Sequence, residues 1–369
     1  MARKLEKIVV AMSGGVDSSV SAALLKEQGY EVVGLFMCTG QDHSAVAAAE
    51  LADDDPRPSE ERQRGCCRPE DAADARIVAG KLGIPFYSLN FSRQFEQIID
   101  YFADEYLLGR TPNPCVLCNQ HLKFGLLAEY GQTIQAPYIA TGHYARIGQD
   151  GQRYWLRRAI DANKDQSYVL FGIERAMLPR ILFPVGELTK EEVRRHAERL
   201  GLPISDKPDS QDICFAPDRD YARIVGRRRP GAFVEGAIVD NQGREVGRHR
   251  GIAHFTIGQR RGLDVAMGEP YYVTHLDPAT NTVTIGPAED LLADRLRASK
   301  VNWLVDPPAD PFRAVVKIRY AHAGAPAAVR PLSADCVEVH FDEPVRAITP
   351  GQAAVFYDGD FVLGGGWIE

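Results

Sequence analysis

Short apolar runs alternate with amphipathic stretches through the first two hundred residues. Residues 7–11 are apolar and β-branched, the composition of a buried parallel strand. Val20, Leu24 and Leu25 recur at helical spacing within 18–28, and Gly29 ends that pattern. The same logic predicts strands over 31–37, 86–91 and 138–141. It predicts helices over 69–82, closed by Gly83, and over 94–108, which carries Ile98, Ile99, Phe102 and Leu107. Thr189 and Glu192 have the spacing of a capping box in front of a helix that runs to Leu200. Strands separated by helices imply a parallel α/β sheet with right-handed crossovers. Residues 41–62 interrupt the series with seven acids and two arginines, and read as a solvated surface insertion with no function of its own.

Beyond about residue 220 helical periodicity fades and turn-bounded strands take over. Residues 239–246 read as a hairpin. Ala314, Val316, Ile318 and Tyr320 alternate with Val315, Lys317 and Arg319, the pattern of a half-buried strand. Asp358-Gly359 is a turn between the two apolar arms of 355–362. The expected division is therefore an α/β domain over 1–219, a small β-rich domain over 220–286 and a second β unit over 287–369.

Composition narrows the function. Lys plus Arg is 43 against 50 Asp plus Glu, a formal charge of -7, which excludes a uniformly basic nucleic-acid-coating protein. Charge is nevertheless concentrated, because residues 226–261 hold eight arginines and three acids, with dense points at Arg227-Arg228-Arg229 and Arg260-Arg261. Such a patch gives phosphate affinity and salt dependence without sequence choice. No apolar run approaches the roughly 18 residues of a membrane span. The charged start leads into an apolar stretch too short for a secretory leader. Seven cysteines, an odd number in a chain of 369 residues, suggest the reducing cytoplasm and thiols kept for chemistry or packing, not a disulfide scaffold.

Two motifs carry chemistry. Ser13-Gly14-Gly15-Val16-Asp17-Ser18-Ser19 lies between the first strand and the first helix, where backbone amides and the helix dipole converge on an anion. Its glycines permit close approach to phosphate, and it lacks the Lys-Ser/Thr of a Walker A loop. The second motif is Thr111-Pro112-Asn113-Pro114-Cys115-Val116-Leu117-Cys118-Asn119, with Lys123 and Phe124 placed as a helix start. A thiol at a helix N-terminus ionises more readily. The CxxC pair fits half of a zinc site, a redox pair or a sulfur-handling site. Zinc needs two more ligands, and the adjacent Cys66-Cys67 lack the usual ligand gap. Cys214 follows 96 residues after Cys118 in the polar setting Ser210-Gln211-Asp212-Ile213-Cys214-Phe215, open to a packing or a chemical role. Cys38 and Cys336 read as packing thiols.

The segment 11–19 resembles the pyrophosphate loop of the ATP-pyrophosphatase superfamily, whose members cleave ATP between the α and β phosphates. The ordered set is more specific. The loop is followed by Gly109-Arg110-Thr111-Pro112-Asn113-Pro114 with Cys118-Asn119, Thr141-Gly142-His143-Tyr144, Lys164-Asp165-Gln166-Ser167 and the Cys214 motif. Thr256-Ile257-Gly258-Gln259-Arg260-Arg261-Gly262 completes it. Together they resemble the tRNA-specific 2-thiouridylases over nearly the whole chain.

The resemblance implies an adenine-nucleotide α-hydrolase-like N-terminal domain, the β-rich central domain and a C-terminal β-barrel. It implies ATP with Mg2+ held by Ala11, Met12, Ser13, Gly14, Gly15, Val16, Asp17 and Ser18, with Met37 and Gly142 nearby. Cys214 would carry a persulfide supplied by a cysteine desulfurase or sulfur-relay protein. Cys118 would be the nucleophile that frees its terminal sulfur, leaving a Cys118–Cys214 disulfide for later reduction. The acceptor would be C2 of the wobble uridine, position 34, of tRNA, after adenylation of its oxygen. Asn113, Pro114, Cys115, His143, Lys164, Asp165, Gln166, Arg319, Tyr320 and Gln352 would contact tRNA. Many relatives carry Asp where this chain has Cys115. That thiol would then act as acid/base, or Cys115, Cys118 and Cys214 would bind a [4Fe-4S] cluster with one open iron. A different adenylating ligase, such as an amidating synthetase, gives Cys118 and Cys214 no task.

Overall fold

The apolar run at the N-terminus forms β1 (Lys7–Ala11), whose Ile8, Val9 and Val10 are wholly buried in the centre of a sheet. The computed structural model describes residues 6–40, 69–205, 207, 213–265 and 267–369. The acidic stretch 41–62, Cys66, Cys67 and residues 210–212 of the Cys214 motif lie outside the described residues. Two compact units are present, one of residues 1–97 and 115–219, the other of 98–114 and 220–369.

In the first unit, α1 (Val16–Glu27), β2 (Glu31–Cys38), α2 (Pro69–Leu82) and β3 (Phe86–Asn90) follow β1. The helix α3 (Ser92–Leu107), whose residues from Ile98 on belong to the second unit, buries Phe95, Ile98, Ile99, Phe102 and Tyr106 on one face, and Leu107, expected in that stripe, is only half-buried. A continuous helical segment comes next, as α4 (Pro114–Leu117), a π-helix (Cys118–Leu126) and α5 (Leu127–Thr133). Then β4 (Tyr138–Thr141), the hairpin β5 (Ala145–Asp150) and β6 (Arg153–Arg158), the short β7 (Ile181–Leu182) and α6 (Lys190–Arg199) complete this unit.

The sheet has the order β3-β2-β1-β4-β7, and every pairing in it is parallel. Register aligns Ala11 with Leu35 and with Thr141, so β1 and β4 end level while β2 runs on to Cys38. Ligands of open parallel sheets bind outside such carboxyl ends. Ile8, Val10, Met12, Val20, Leu25, Phe36, Val78 and Val193 form the core beneath α1, α2 and α6. Fully burying such a side chain stabilises the fold by about 1.5–3 kcal/mol.

The second unit contains α7 (Tyr221–Arg228) and a mixed sheet of β8 (Gly236–Val239), β9 (Glu245–His249), β10 (Tyr272–Asp277) and β11 (Thr282–Gly286) in the order β10-β11-β8-β9. Six antiparallel strands follow: β12 (Leu292–Trp303), β13 (Phe312–Lys317), β14 (Ala325–Ser333), β15 (Cys336–Arg346), β16 (Ala353–Asp358) and β17 (Phe361–Ile368). They pair in the order β12-β15-β14-β13-β16-β17, and β12 pairs back onto β17 to close a barrel. Leu296, Val316, Val329, Val339 and Phe356 fill its interior.

Three local expectations change. The helix around the CxxC motif begins at Pro114, nine residues ahead of Lys123, because proline at the first helical position has the right φ and loses only an N–H that would be unpaired anyway. The β5–β6 hairpin is additional. The alternation over 314–320 stops at β13's end, so Ala314, Val316 and Ile318 are buried while Tyr320 is exposed.

The capping box forms as its spacing implies: Thr189 Oγ1 accepts from the Glu192 amide, and the Thr189 amide donates to the Glu192 carboxylate at 2.8 Å. Thr189→Ala is expected to lower the unfolding free energy by about 1 kcal/mol in urea titration. An unchanged midpoint would show that α6 does not depend on its cap.

Candidate functional site

At the carboxyl edge of β1 the chain turns through Met12–Gly15 into α1. Gly14 is left-handed at φ +73°, and a Cβ there would stand 2.2 Å from the Asp71 carbonyl oxygen. Only glycine fits a loop laid so closely on α2. The N-cap of α1 is Gly15, which has no side chain to bond the first amides. Those donors are oriented for an anion. The serines stabilise the turn from within. Ser18 Oγ accepts from the Ser13 amide at 3.1 Å and lies 3.2 Å from Ser13 Oγ, while Ser19 Oγ donates to the Gly15 carbonyl at 2.8 Å.

Residues distant in sequence brace this loop. Gly142, just past β4, packs so near that a Cβ would meet the Ser18 amide nitrogen at 2.5 Å. Asp17 accepts from Tyr144 Oη at 2.8 Å and from Lys190 Nζ at 2.8 and 2.9 Å through its two oxygens. Lys207 Nζ donates to the Gly14 carbonyl at 3.0 Å and to Asp71 and Asp74 at 2.7 Å each. Burial lowers the affinity of Lys207 for its proton, yet the hydrogen bonds to Asp71 and Asp74 outweigh it and hold the pKa above the ordinary lysine value. Lys190 and Lys207 were not singled out in the sequence, and Tyr144 stood there only inside the Thr141-Gly142-His143-Tyr144 motif. Nothing local marks a lysine whose carboxylate partner lies more than a hundred residues away.

The segments expected at tRNA are built into the same frame. Gln166 brackets Tyr144: its side-chain carbonyl accepts from the Tyr144 amide at 2.9 Å, and its own amide donates to the Tyr144 carbonyl at 2.8 Å. Asp165 is buried and accepts from the Ala159 amide and from the Ser167 amide and hydroxyl. Lys164 is half-buried, with its amide on the Asp161 carbonyl. His143 is buried between Phe124 and Phe183. Its Nδ1 lies 2.6 Å from Thr141 Oγ1 and its Nε2 3.3 Å from Lys123 Nζ. Since an ammonium can only donate, Nε2 accepts and Nδ1 carries the proton toward Thr141. Burial, reinforced by the Lys123 charge, holds the His143 pKa well below the ordinary histidine value.

Cys115 and Cys118 are half-buried in the helical segment that opens at Pro114, and Cys118 begins the π-helix. Such wide turns are rare and recur at functional sites. The neighbouring Asn119 is buried and anchors the segment by donating to the Val169 carbonyl at 3.0 Å. Cys214 is half-buried, and the adjacent Phe215 packs edge-on against Phe95. Among the described residues, which include Cys115, Cys118 and Cys214, no group of three or more His, Cys, Asp or Glu side chains is arranged to hold a metal ion. Met37 is half-buried at the end of β2.

In the second unit Arg319 donates to the carbonyls of Arg346 and Ala347 at 3.0 and 3.3 Å, and Tyr320 is 46% exposed beside Lys317. Gln352 donates to the carbonyls of Thr111 and Pro112, next to Asn113 and Pro114. The arginine-rich stretch is partly self-neutralised. Arg229 is held by Asp100 and Asp104, Arg244 by Asp240, and Arg248 by Glu235 and Glu245. Arg227, Arg250, Arg260 and Arg261 have no acidic partner among the described residues. No described helix is long and apolar enough to cross a membrane.

Comparison with known proteins bears on this arrangement. Residues 6–218 match the family model described as the tRNA methyl transferase HUP domain, 225–287 that of the tRNA methyl transferase PRC-barrel domain, and 293–368 that of the aminomethyltransferase beta-barrel domain. The tRNA-specific 2-thiouridylase MnmA of Geotalea uraniireducens is 48% identical over 368 residues, 99% of this chain and 96% of the relative. That of Carboxydothermus hydrogenoformans is also 48% identical, over 99% of this chain and 98% of the relative. That of Clostridioides difficile is 44% identical, over 99% and 98% respectively.

Two measurements check the geometry. Gly142→Ala is expected to weaken ATP binding by tenfold or more, about 1.4 kcal/mol, in calorimetric titration; wild-type affinity would remove the close approach from the nucleotide site. The second concerns His143. Below about pH 6.5 an unfolded histidine takes up a proton that the folded one refuses, so stability falls as pH drops through that value. His143→Gln is expected to reduce the slope of stability against pH between about 5 and 6.5 by up to one proton. An identical slope would mean that His143 is already protonated in the fold.

Proposed function

The chain belongs to the tRNA-specific 2-thiouridylase family, and from that premise we propose how its residues share the work. It is a sulfurtransferase that uses ATP and 2-thiolates uridine in tRNA. The full-length match to relatives of that activity is the observation that carries the reading.

The target is the wobble uridine at position 34. ATP enters as its magnesium complex at the uncapped start of α1, with Ala11–Ser18, Met37 and Gly142 around it. The uracil O2 attacks the α phosphorus and pyrophosphate leaves, so a poor leaving oxygen becomes AMP. Backbone amides of the loop stabilise the charge that develops on the phosphates. Lys190 and Tyr144 keep the Asp17 carboxylate turned away from that charge.

Sulfur comes from Cys214, loaded as a persulfide by a cysteine desulfurase or a sulfur-relay protein. The Cys118 thiolate attacks Cys214 Sγ and forms the Cys118–Cys214 disulfide. The terminal sulfur departs with the bonding pair, adds to C2 of the adenylated base, and AMP is expelled. A thiol reductant then returns the disulfide to two thiols. Splitting the transfer in this way is the usual gain of covalent catalysis. Cys115, in the first turn of the helical segment, would exchange a proton with the base. A cluster route finds no support in the donor arrangement. An amidating reaction would leave the cysteines without a role.

Recognition of tRNA falls to Asn113, Pro114, Lys164, Arg319, the exposed Tyr320 and the unpaired arginines at 227, 250, 260 and 261. His143, Asp165 and Gln166 act from behind, as supports. The three-domain division at 219/220 and 286/287 follows the same reading.

Cys118→Ser and Cys214→Ser are each expected to abolish 2-thiouridine formation, seen by nucleoside mass spectrometry, while tRNA-dependent pyrophosphate release continues. Thiolation retained in either variant removes that cysteine from the mechanism. Arg260→Ala with Arg261→Ala is expected to reduce the slope of log affinity for tRNA against log salt by about one to two. An unaltered slope would place the phosphate contacts elsewhere.

A further inference from the structure

Residues 109–112, which lead into the helical segment of Cys115 and Cys118, are gripped by the β-barrel. Gly109 is left-handed at φ +68°, and a Cβ on it would lie 3.1 Å from Leu276 Cβ of β10. The next contact comes from residues 347–352, the connection between β15 and β16. The Thr111 amide donates to the Pro350 carbonyl at 2.8 Å. Gln352 Nε2 donates to the Thr111 carbonyl at 3.0 Å and to the Pro112 carbonyl at 3.3 Å. Both backbone polar groups of Thr111 are therefore spent on this connection. Gly351, at φ +88°, closes the clamp, because a Cβ there would meet the Thr111 nitrogen and oxygen at 3.0 Å.

The connection is itself held firmly. Arg319 bonds the carbonyls of Arg346 and Ala347, and Ala347 adopts φ +58°, a conformation that a residue other than glycine keeps only when its surroundings impose it. The Gly351 amide donates to Ile368, and Gln352 exchanges backbone bonds with Thr349 and Ile368. Arg346 also lies over the Tyr272 ring at 4.4 Å. Pro112 and Pro114 stiffen Asn113, the one residue that separates the clamp from the helix start. Cys118 lies six residues beyond Pro112 along this path.

We propose that Gln352 is a positioning residue: with Gly351 it clamps Thr111 and Pro112, and so sets the placement of the Cys115–Cys118 segment. A tRNA bound at Arg319 and Tyr320 acts on the same connection, so occupancy of the barrel is sensed at the catalytic thiol. This inference rests on Cys118 being the nucleophile.

The test uses the full-length enzyme with Gln352→Ala and, separately, Gly351→Ala. The second variant removes no side chain that tRNA could touch. Cys118 is alkylated with iodoacetamide in the absence of tRNA and read by mass spectrometry on the tryptic peptide of residues 111–123, whose fragments separate Cys115 from Cys118. Single-turnover thiolation is measured at saturating ATP and tRNA, with a cysteine desulfurase and cysteine as sulfur source. Both variants are expected to change the Cys118 alkylation rate by about threefold or more and to slow thiolation by about tenfold or more, while tRNA affinity stays within about twofold. Weakened tRNA affinity in Gln352→Ala with wild-type alkylation and an unchanged saturated rate would overturn the clamp and leave Gln352 as a simple tRNA contact. Wild-type behaviour in both variants would overturn it equally. A Cys118→Ser enzyme that still thiolates would instead remove the premise, an outcome separable from these.

Discussion

A helix that starts without a side-chain cap leaves its first amides pointing at solvent, and α1 starts that way at Gly15. The site depends on this vacancy being kept open and correctly aimed. Two close approaches do the aiming, Gly14 against Asp71 and Gly142 against Ser18. The hydrogen bonds of Ser18 and Ser19 spend their hydroxyls on the turn. Asp17 would otherwise oppose an anion at the same place. Its carboxylate faces Lys190 and Tyr144, which neutralise it and hold it aside.

Much of the fold was legible because its information is local. β1, β4 and α2 have the bounds that their periodicity implies, and Thr189 with Glu192 caps α6. Where the reading failed, the deciding term was not local. The helical segment starts at Pro114, nine residues before Lys123, and is anchored by Asn119 donating to the Val169 carbonyl, 50 residues further along the chain. Tyr320 continues an apparent alternation, but β13 has already ended at Lys317. Alternation says which residues share a face of a strand, and says nothing of where pairing stops.

The phosphate loop and the cysteine motifs were visible in the sequence, each being a short contiguous run. The supports were not. Lys190 and Lys207 are ordinary lysines until folding brings Asp17, Gly14, Asp71 and Asp74 to them. The arginine-rich stretch shows the opposite error. Its eight arginines outnumber its three acids, yet Arg229, Arg244 and Arg248 are bound to acids. Counting charges along a sequence cannot separate arginines that hold the fold from those left for a partner.

The polar supports also explain how two substrates can be read by one frame. Gln166 fixes Tyr144 through two backbone bonds, and the Tyr144 hydroxyl reaches Asp17 in the phosphate loop. A side chain that shifts Gln166 must move Tyr144, and with it one of the hydrogen bonds that hold the Asp17 carboxylate, while Lys190 keeps the others. Buried polar chains of this kind have few alternative arrangements, because each broken bond strands a donor or acceptor away from water. The Asp165–Ser167 turn therefore has a reason to be rigid that is independent of any base it touches. Its stiffness keeps an acid from the anion it would repel, and ties the nucleotide loop to the segment that follows β6.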